Sequence, residues 1–186
     1  SRKCTSYGRA VAEKFAQELS RNGITVVSGG ARGIDTSAHR GALRSGKTVA
    51  ILGCGVNVVY PPENRVLFSE IVEHGALISE YPPGTPPIGG NFPARNRILS
   101  GICQGTLVVE AARNSGSLIT AELALEQNRE VFSIPGSIYS LSSEGTHRLI
   151  QAGAKLVHSP EDVLEDQNIK KSASPTLYND VSLNDI

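Results

Sequence analysis

The segment SGGARGID, at residues 28–35, combines flexible backbone with a fixed positive charge. Gly29, Gly30 and Gly33 let a backbone approach an anion closely, and a helix starting after them offers unpaired N–H groups. Arg32 adds a guanidinium that can hold a phosphate through two parallel hydrogen bonds. Taken alone, the segment fits a plain strand-to-helix turn beside a solvated arginine equally well. It matches neither the G-x-G-x-x-G dinucleotide fingerprint nor a Walker A loop, because no G-K-[ST] follows.

A second basic segment, FPARNRILSG, occupies residues 92–101. Positions two apart on a helix point about 200° away from each other, so Arg95 and Arg97 cannot both face one phosphate from mid-helix. The hypothesis is that one binds a ligand while the other pairs with a carboxylate, for which Glu80 and Glu110 are candidates. Because the helix macrodipole disfavours cations in the first turn, this pattern indicates an anion nearby.

A third segment is rich in serine and glycine. Ser115, Gly116 and Ser117 form a loop-to-helix nest for an anion, with Thr120 one turn into the helix. Glu122 follows, either as a cap or as a catalytic carboxylate. With the loop at residues 28–35 and the loop of Gly53 and Gly55 after the second predicted strand, this makes three loops rich in glycine or serine. Three such loops at one edge of a sheet would line a single crevice that binds phosphate.

Two further pairs of residues keep alternative interpretations. Tyr60 either packs its loop or stacks on a base, and Asn64 either caps the next helix or contacts a ligand. Asp35 and His39 lie four residues apart on one helical face. We favour a local hydrogen bond near a helix start over an acid–base pair, because no serine elbow, second carboxylate or metal-ligand set accompanies them.

The elements that position these loops alternate along the chain. Short apolar runs, as in strands buried on both faces, are predicted at 24–28, 48–52, 76–79, 106–110, 130–134 and 155–158. Segments of helical period are predicted at 8–22, 34–45, 62–74, 93–104, 117–128 and 145–152. This alternation predicts an α/β fold of three layers, αβα, with an extended Rossmann-like, mostly parallel sheet.

The pattern also predicts the domain organisation. The first helix has no strand ahead of it, so we expect a first strand to lie upstream of Ser1. Residues 1–166 are predicted to form one Rossmann-like domain. Residues 167–186 are polar, with little periodicity, and are predicted to be a linker or tail.

Composition limits the classes of function. With 18 basic and 18 acidic residues the formal net charge is zero, which argues against coating nucleic acid by bulk charge but allows a local basic site. Cys4, Cys54 and Cys103 are far apart and the histidines are scattered, so neither a disulfide framework nor a metal site is expected. The sequence contains no membrane span of about 20 apolar residues and no signal peptide, which predicts a cytoplasmic protein.

Taken together, the motifs resemble the DNA-processing protein A family (DprA, also called Smf). The resemblance extends from Ser1 to about Asp166 and rests on SRKCTSYG at 1–8, VVSGGARGID at 26–35, AH at 38–39, GCGVNVVYPPEN at 53–64, ISEYPPG at 78–84, FPARNRILSG at 92–101, VVEAARNSGSLITA at 108–121 and VFSIPG at 131–136. It implies an extended Rossmann-like domain that binds single-stranded DNA without catalysis or a cofactor. It also implies dimerisation and delivery of the recombinase RecA to DNA entering the cell during natural transformation.

Carried over by position, the resemblance implies a set of residues that contact DNA or phosphate. Arg2 matches the arginine of the family's opening G-S-R motif, although the glycine and its strand are missing. Gly29, Gly30, Arg32 and Gly33 match the family's phosphate-facing loop, and Arg95, Asn96 and Arg97 match its R-N-R motif. The reasoning from the residues themselves adds Ser28, Asn64, Ser115, Gly116, Ser117 and Thr120 to the predicted set. Gly30 stands where an apolar residue is common in the family. Members of the family often carry extra small domains at either end, including a winged-helix-like one at the C-terminus, whereas the sequence here ends in a polar tail.

A second hypothesis is an enzyme. SGSLITAE loosely resembles the glycine-rich G-G-x-G-T-x-x-E signature of nucleoside-monophosphate phosphoribohydrolases of the lonely-guy type. In that case Glu122 would be catalytic, and Arg95 or Arg97 would hold the phosphate. Ser115 and Ser117 stand at positions that prefer glycine, which counts against the enzyme.

Overall fold

The computed structural model of the protein describes residues 4–167. Its helices are α1 (Ser6–Arg21), α2 (Ile34–Leu43), α3 (Arg65–His74), α4 (Asn91–Gly101), α5 (Gly116–Glu126), α6 (Glu144–Gln151) and α7 (Pro160–Asp166). Its strands are β1 (Val26–Ser28), β2 (Thr48–Ile51), β3 (Gly75–Ile78), β4 (Gly105–Val108), β5 (Glu130–Ser133) and β6 (Lys155–Leu156). The α/β prediction is confirmed, and each predicted strand and helix is present with shifted ends.

Helix α7 was missed by the sequence analysis because its seven residues are too few to establish a helical period. A local signal was nevertheless present. Ser159 and Asp162 form a reciprocal capping box, and Pro160 occupies the first turn. The predicted tail begins at the end of this helix. Residues 168–186 lie outside the described part, so the proposed boundary between domain and tail remains a prediction.

The strands form two parallel three-stranded sheets, in the orders β1-β2-β3 and β4-β5-β6. Successive strand residues pack against opposite helical layers. Val109 and Phe132 lie in a cluster with Phe15 of α1, whereas the neighbouring Val108 and Val131 pack with the α5 alanines. This alternation explains the continuous apolar runs and the three-layer αβα arrangement.

The two sheets do not pair with each other. Strands β1 and β4 each pair on one side only among the described strands, and both line a cavity of about 1450 Å³. Loops that follow the carboxyl ends of these strands line the same cavity. The fold therefore places a crevice at the carboxyl ends of two strands, where open α/β sheets bind ligands.

A buried histidine joins α2 to the first sheet. His39 is fully buried, and its Nδ1 lies 2.7 Å from Thr48 Oγ1. Because that hydroxyl donates to the Val26 carbonyl, it accepts from an Nδ1–H group. Asp35 accepts instead from the Ala31 amide at 3.2 Å, so a local hydrogen bond at the helix start, and not an acid–base pair, describes these residues.

We expect His39 to make stability depend on pH. Burial lowers the pKa of His39 from 6.5 to about 4. Between these pH values the imidazole is mostly protonated in the unfolded chain and mostly neutral in the folded protein. The free energy of unfolding then falls by about 3 kcal/mol as the pH drops from 6.5 to 4. Urea unfolding of the wild type and of His39→Gln across this pH range measures the slope of the free energy of unfolding against pH for each protein. Equal slopes would contradict the prediction.

Candidate functional site

We call the part of the crevice that is lined by α4 and by the loops after β1 and β4 the crevice mouth. Many of the predicted binding residues lie there, although their loops are far apart in sequence. After β1 the lining residues are Ser28 and Gly29, and α4 contributes Arg95 and Asn96. The remaining predicted residues that line it are Ser115, Gly116, Ser117 and Thr120. Gly30, Arg32, Gly33, Asn64 and Arg97 lie outside this lining, and Arg2 lies outside the described residues.

The loop after β1 has a backbone that strongly favours glycine. Gly30 and Gly33 have φ values of 66° and 81°, in the left-handed region that other residues rarely adopt. Asn64, 3% exposed, donates from Nδ2 to the Gly30 carbonyl at 3.0 Å and to Thr36 Oγ1 at 3.0 Å. Asn64 therefore lies behind the loop and holds it in shape.

Arg32 extends from this loop into solvent and pairs with a carboxylate. Its Nη2 donates to Glu63 Oε2 at 3.0 Å, and its Nε donates to Oε1 of the same residue. Both side chains are 52% exposed. The mutual hydrogen bond raises the pKa of Arg32 and lowers the pKa of Glu63. Two N–H groups of the guanidinium are thus engaged, and its outer edge faces away from this carboxylate.

The two arginines of α4 diverge, as their spacing predicted. Arg97 is exposed and pairs with Glu80. Arg95 is only 4% exposed and donates to the Gly29 carbonyl at 2.9 Å and to the Ile51 carbonyl. Arg95 therefore connects the glycine loop to the carboxyl end of β2 and fixes the back wall of the crevice.

The N-terminal end of helix α5 has the features that an anion-binding nest requires. Ser115 is its N-cap and accepts from the Ser117 amide at 3.4 Å, while the two hydroxyls lie 2.7 Å apart. Gly116, the first helical residue, has open space around its α-carbon. The first turn of α5 thus presents backbone N–H groups and small hydroxyls to the crevice.

Sequence reasoning missed two features of the site. Arg113 lines the crevice, is exposed, and has no ion pair among the described residues. Its place two residues before the N-cap of α5 was the available signal. Phe92 packs against Tyr60 with ring centroids 5.6 Å apart, and both border a small pocket with Arg32.

Residues 4–167 contain no cluster of three or more His, Cys, Asp or Glu side chains that could hold a metal ion. None of the described helices is both long enough and apolar enough to span a bilayer. The crevice lining includes backbone amides, hydroxyls and guanidinium groups, which suit the binding of phosphates, and also the carboxylates of Asp35, Glu110 and Glu144.

Residues 1–168 match the protein family described as DNA recombination-mediator protein A. The chain belongs to this family. It is 50% identical over 167 residues to DNA processing protein DprA of Streptococcus pneumoniae, covering 89% of this chain and 59% of that protein. It is 49% identical over 168 residues to protein Smf of Escherichia coli K12, covering 89% of this chain and 45% of that protein. The DprA/Smf resemblance is thus confirmed, and the chain spans about half the length of these curated relatives.

Solved structures of DprA proteins share the fold. The X-ray structure of the Streptococcus pneumoniae protein aligns with a TM-score of 0.84 at 50% identity, over 89% of this chain and 59% of that one. DprA of Helicobacter pylori, solved in a study of its single-stranded DNA binding mode, also aligns with a TM-score of 0.84, at 30% identity, over 92% of this chain and 79% of that one.

Proposed function

We propose that this chain is the Rossmann-like domain of a DprA/Smf protein that binds single-stranded DNA. In this proposal it protects incoming DNA and loads RecA during natural transformation in the cytoplasm. The observation that carries the proposal is the crevice mouth, where amide-rich loops after β1 and β4 meet Arg113, beside the exposed Arg32. The Helicobacter pylori relative, described as a single-stranded DNA binder, supports the same ligand class.

In this proposal, phosphates of the strand bind along the crevice mouth. The first turn of α5 holds one phosphate through its amides and the Ser115 and Ser117 hydroxyls. Arg113 and the outer edge of Arg32 bind others, while Arg95 positions the glycine loop from behind. Tyr60 and Phe92, at the pocket beside Arg32, are placed to contact a base.

Such contacts explain how a chain without net charge can bind a polyanion. Backbone amides, hydroxyls and a few arginines at one crevice supply attraction locally, so the rest of the surface needs no basic excess. These groups address phosphate and not base edges, which predicts little sequence preference. Only 5% of the residues are aromatic, so phosphate contacts carry more of the affinity than stacking does.

The principal test is fluorescence anisotropy with labelled oligothymidine at several salt concentrations. We expect Arg113→Ala to weaken binding about tenfold at low salt. If Arg113 contacts one phosphate, the variant also lowers the slope of log K against log salt by about 0.7. Arg40→Ala, which removes an exposed arginine outside the crevice, is the matched control. Absence of oligothymidine binding by the wild type would overturn the proposal.

A related prediction concerns the carboxylate paired with Arg32. We expect Glu63→Gln to tighten oligothymidine binding about threefold at low salt, because it removes a negative charge beside the strand and loosens the guanidinium. Glu73→Gln makes the same change of charge at an exposed position near the other end of α3, and serves as control. Equal affinities of Glu63→Gln and Glu73→Gln would contradict this role of Glu63.

We propose that the domain acts by binding and not by catalysis. In the lonely-guy alternative Glu122 would be catalytic, but this residue is exposed and does not belong to the crevice lining. Incubation with AMP, followed by chromatography for free adenine, separates the two functions. Release of adenine at ordinary enzyme rates, lost in Glu122→Gln, would favour the hydrolase.

RecA binding and dimerisation complete the proposal and need separate measurements. Sedimentation equilibrium of the chain between micromolar and millimolar concentrations measures self-association. Pull-down of purified RecA, with and without oligothymidine, measures the second partner. A monomer at all concentrations, or no retention of RecA under either condition, would remove the corresponding partner without affecting DNA binding.

A further inference from the structure

Three large hydrophobic side chains are exposed together in the loop between β5 and α6. The exposed fractions are 93% for Tyr139, 80% for Ile138 and 73% for Leu141. These are the three highest values among the large hydrophobic residues of the described part of the chain. Single exposed hydrophobic residues are common in proteins, but several adjacent ones indicate a binding surface. We call residues 138–141 the apolar tip.

The backbone of the apolar tip is held in a defined shape. The Ser140 amide donates to the Ser137 carbonyl at 3.0 Å, and the Ser143 amide donates to the Ser140 carbonyl at 3.0 Å. The Tyr139 amide also lies 3.3 Å from Ser137 Oγ, to which it donates. Because consecutive tight turns already order this backbone, a ligand that binds the tip pays less conformational entropy.

The apolar tip is anchored to the loop that carries Arg113. The Ala111 amide donates to the Ser142 carbonyl at 2.8 Å, and the Gly145 amide donates to the Ala111 carbonyl at 2.7 Å. Leu141 and Arg113 both line the crevice. The exposed side chains of the tip therefore lie beside the loop after β4, where the proposed function places phosphates of a bound strand.

The chemistry of the apolar tip favours a nucleobase over a further phosphate or an anionic membrane surface. Residues 134–146 contain no lysine or arginine, and Glu144 adds a negative charge. An anion would find no positive partner in this segment. A base needs none, because its π-face stacks on an aromatic ring and its edges pack against aliphatic side chains.

We propose that Tyr139 is a stacking platform for one nucleobase of bound single-stranded DNA, with Ile138 and Leu141 packed against that base. This inference rests on the proposed function, because phosphates held at the crevice mouth bring the base to the tip. The platform is separate from Tyr60 and Phe92, which border a small pocket beside the loop after β1. Stacking does not read base edges, so the platform adds affinity without sequence preference.

The first test compares oligothymidine with an abasic oligomer of equal length, which keeps the phosphates and lacks the bases. We expect Tyr139→Ala to weaken binding of oligothymidine about tenfold and to leave binding of the abasic oligomer unchanged. The slope of log K against log salt should also stay the same, because no charge is removed. Tyr139→Phe keeps the ring and should bind oligothymidine as the wild type does.

The matched control is Val72→Ala, which removes an exposed apolar side chain of α3 outside the crevice lining. This variant should bind both oligomers as the wild type does. Since Tyr139 and Val72 are both exposed, neither substitution to alanine should change Tm.

A second test observes the contact directly. The sequence contains no tryptophan, so Tyr139→Trp introduces a single indole at the tip. We expect oligothymidine to quench its emission by stacking, and the abasic oligomer to leave the emission unchanged. The same titration of Val72→Trp should show no quenching by either oligomer. Unchanged emission of Tyr139→Trp at saturating oligothymidine would contradict the proposal.

Other outcomes would also overturn the proposal. Equal binding of oligothymidine by the wild type and Tyr139→Ala would remove the platform and leave the proposed function intact. An equal loss of affinity for oligothymidine and for the abasic oligomer would show that Tyr139 does not act through a base. A wild-type dimer without DNA that becomes a monomer in Tyr139→Ala would identify a second copy as the occupant. Absence of oligothymidine binding by the wild type would overturn both this inference and the proposed function.

Discussion

Arg32→Ala is expected to weaken binding of oligothymidine about 10- to 100-fold at low salt, while Tm changes little. A hydrogen-bonded contact between a guanidinium and a phosphate contributes about 1.5–3 kcal/mol. The substitution also leaves the Glu63 carboxylate uncompensated beside the DNA. Stability is spared because the Arg32–Glu63 pair is half-exposed, and exposed ion pairs add little. Anisotropy titrations and thermal unfolding of the same samples measure both quantities.

Two further variants separate the contributions of charge and shape at this position. Arg32→Ala combined with Glu63→Ala should recover part of the lost affinity, because the repulsive carboxylate is gone. Arg32→Lys keeps the charge but loses the planar fork, and should bind between the wild type and Arg32→Ala. Equal affinity of wild type and Arg32→Ala would remove the phosphate role from the glycine loop.

Gly41→Ala is expected to destabilise the protein strongly, although alanine favours helix over glycine by about 1 kcal/mol. A Cβ at Gly41, within α2, would lie 2.2 Å from the Glu13 carbonyl oxygen and 2.9 Å from its Cα. Both are backbone atoms of α1, so the two helices must separate. We expect a loss of about 3 kcal/mol and a fall in Tm of roughly 6–12 °C, measured by calorimetry.

Gly101→Ala is the matched control for this prediction. Gly101 is also helical, at the end of α4, but its added Cβ would meet only the flexible end of the Gln127 side chain, at 3.4 Å. We expect Tm to stay unchanged or to rise slightly. If Gly41→Ala were as stable as Gly101→Ala, the close approach of α1 and α2 would be wrong.

The order and type of the predicted elements could be read from the sequence because buried parallel strands and amphipathic helices have different local patterns. The same patterns were too short for α7. The divergence of Arg95 and Arg97 also followed from helical geometry, and Arg97 did pair with Glu80. Which of the two would be buried was not predictable, because the carbonyls that Arg95 reaches belong to residues 66 and 44 positions away.

Other parts of the site were equally inaccessible from spacing alone. Asn64 was expected to cap a helix or contact a ligand, yet its amide donates to the Gly30 carbonyl, 34 residues away. Nothing in the sequence indicated that Glu63, a lone acidic residue, belongs to the site, although its carboxylate pairs with Arg32, which is 31 residues away. Arg113 gained significance only when its loop was found at the crevice mouth.

The sequence by itself determined the local features of this protein: the alternating strands and helices, the glycine-dependent turn at Gly30 and Gly33, and the motifs that indicate its family. These depend on neighbours a few residues apart, so they can be read along the chain. The tertiary structure alone decided which arginines are buried, paired or open to solvent. It also decided that the two sheets border one cavity. Those properties depend on backbone groups and side chains that only folding brings together.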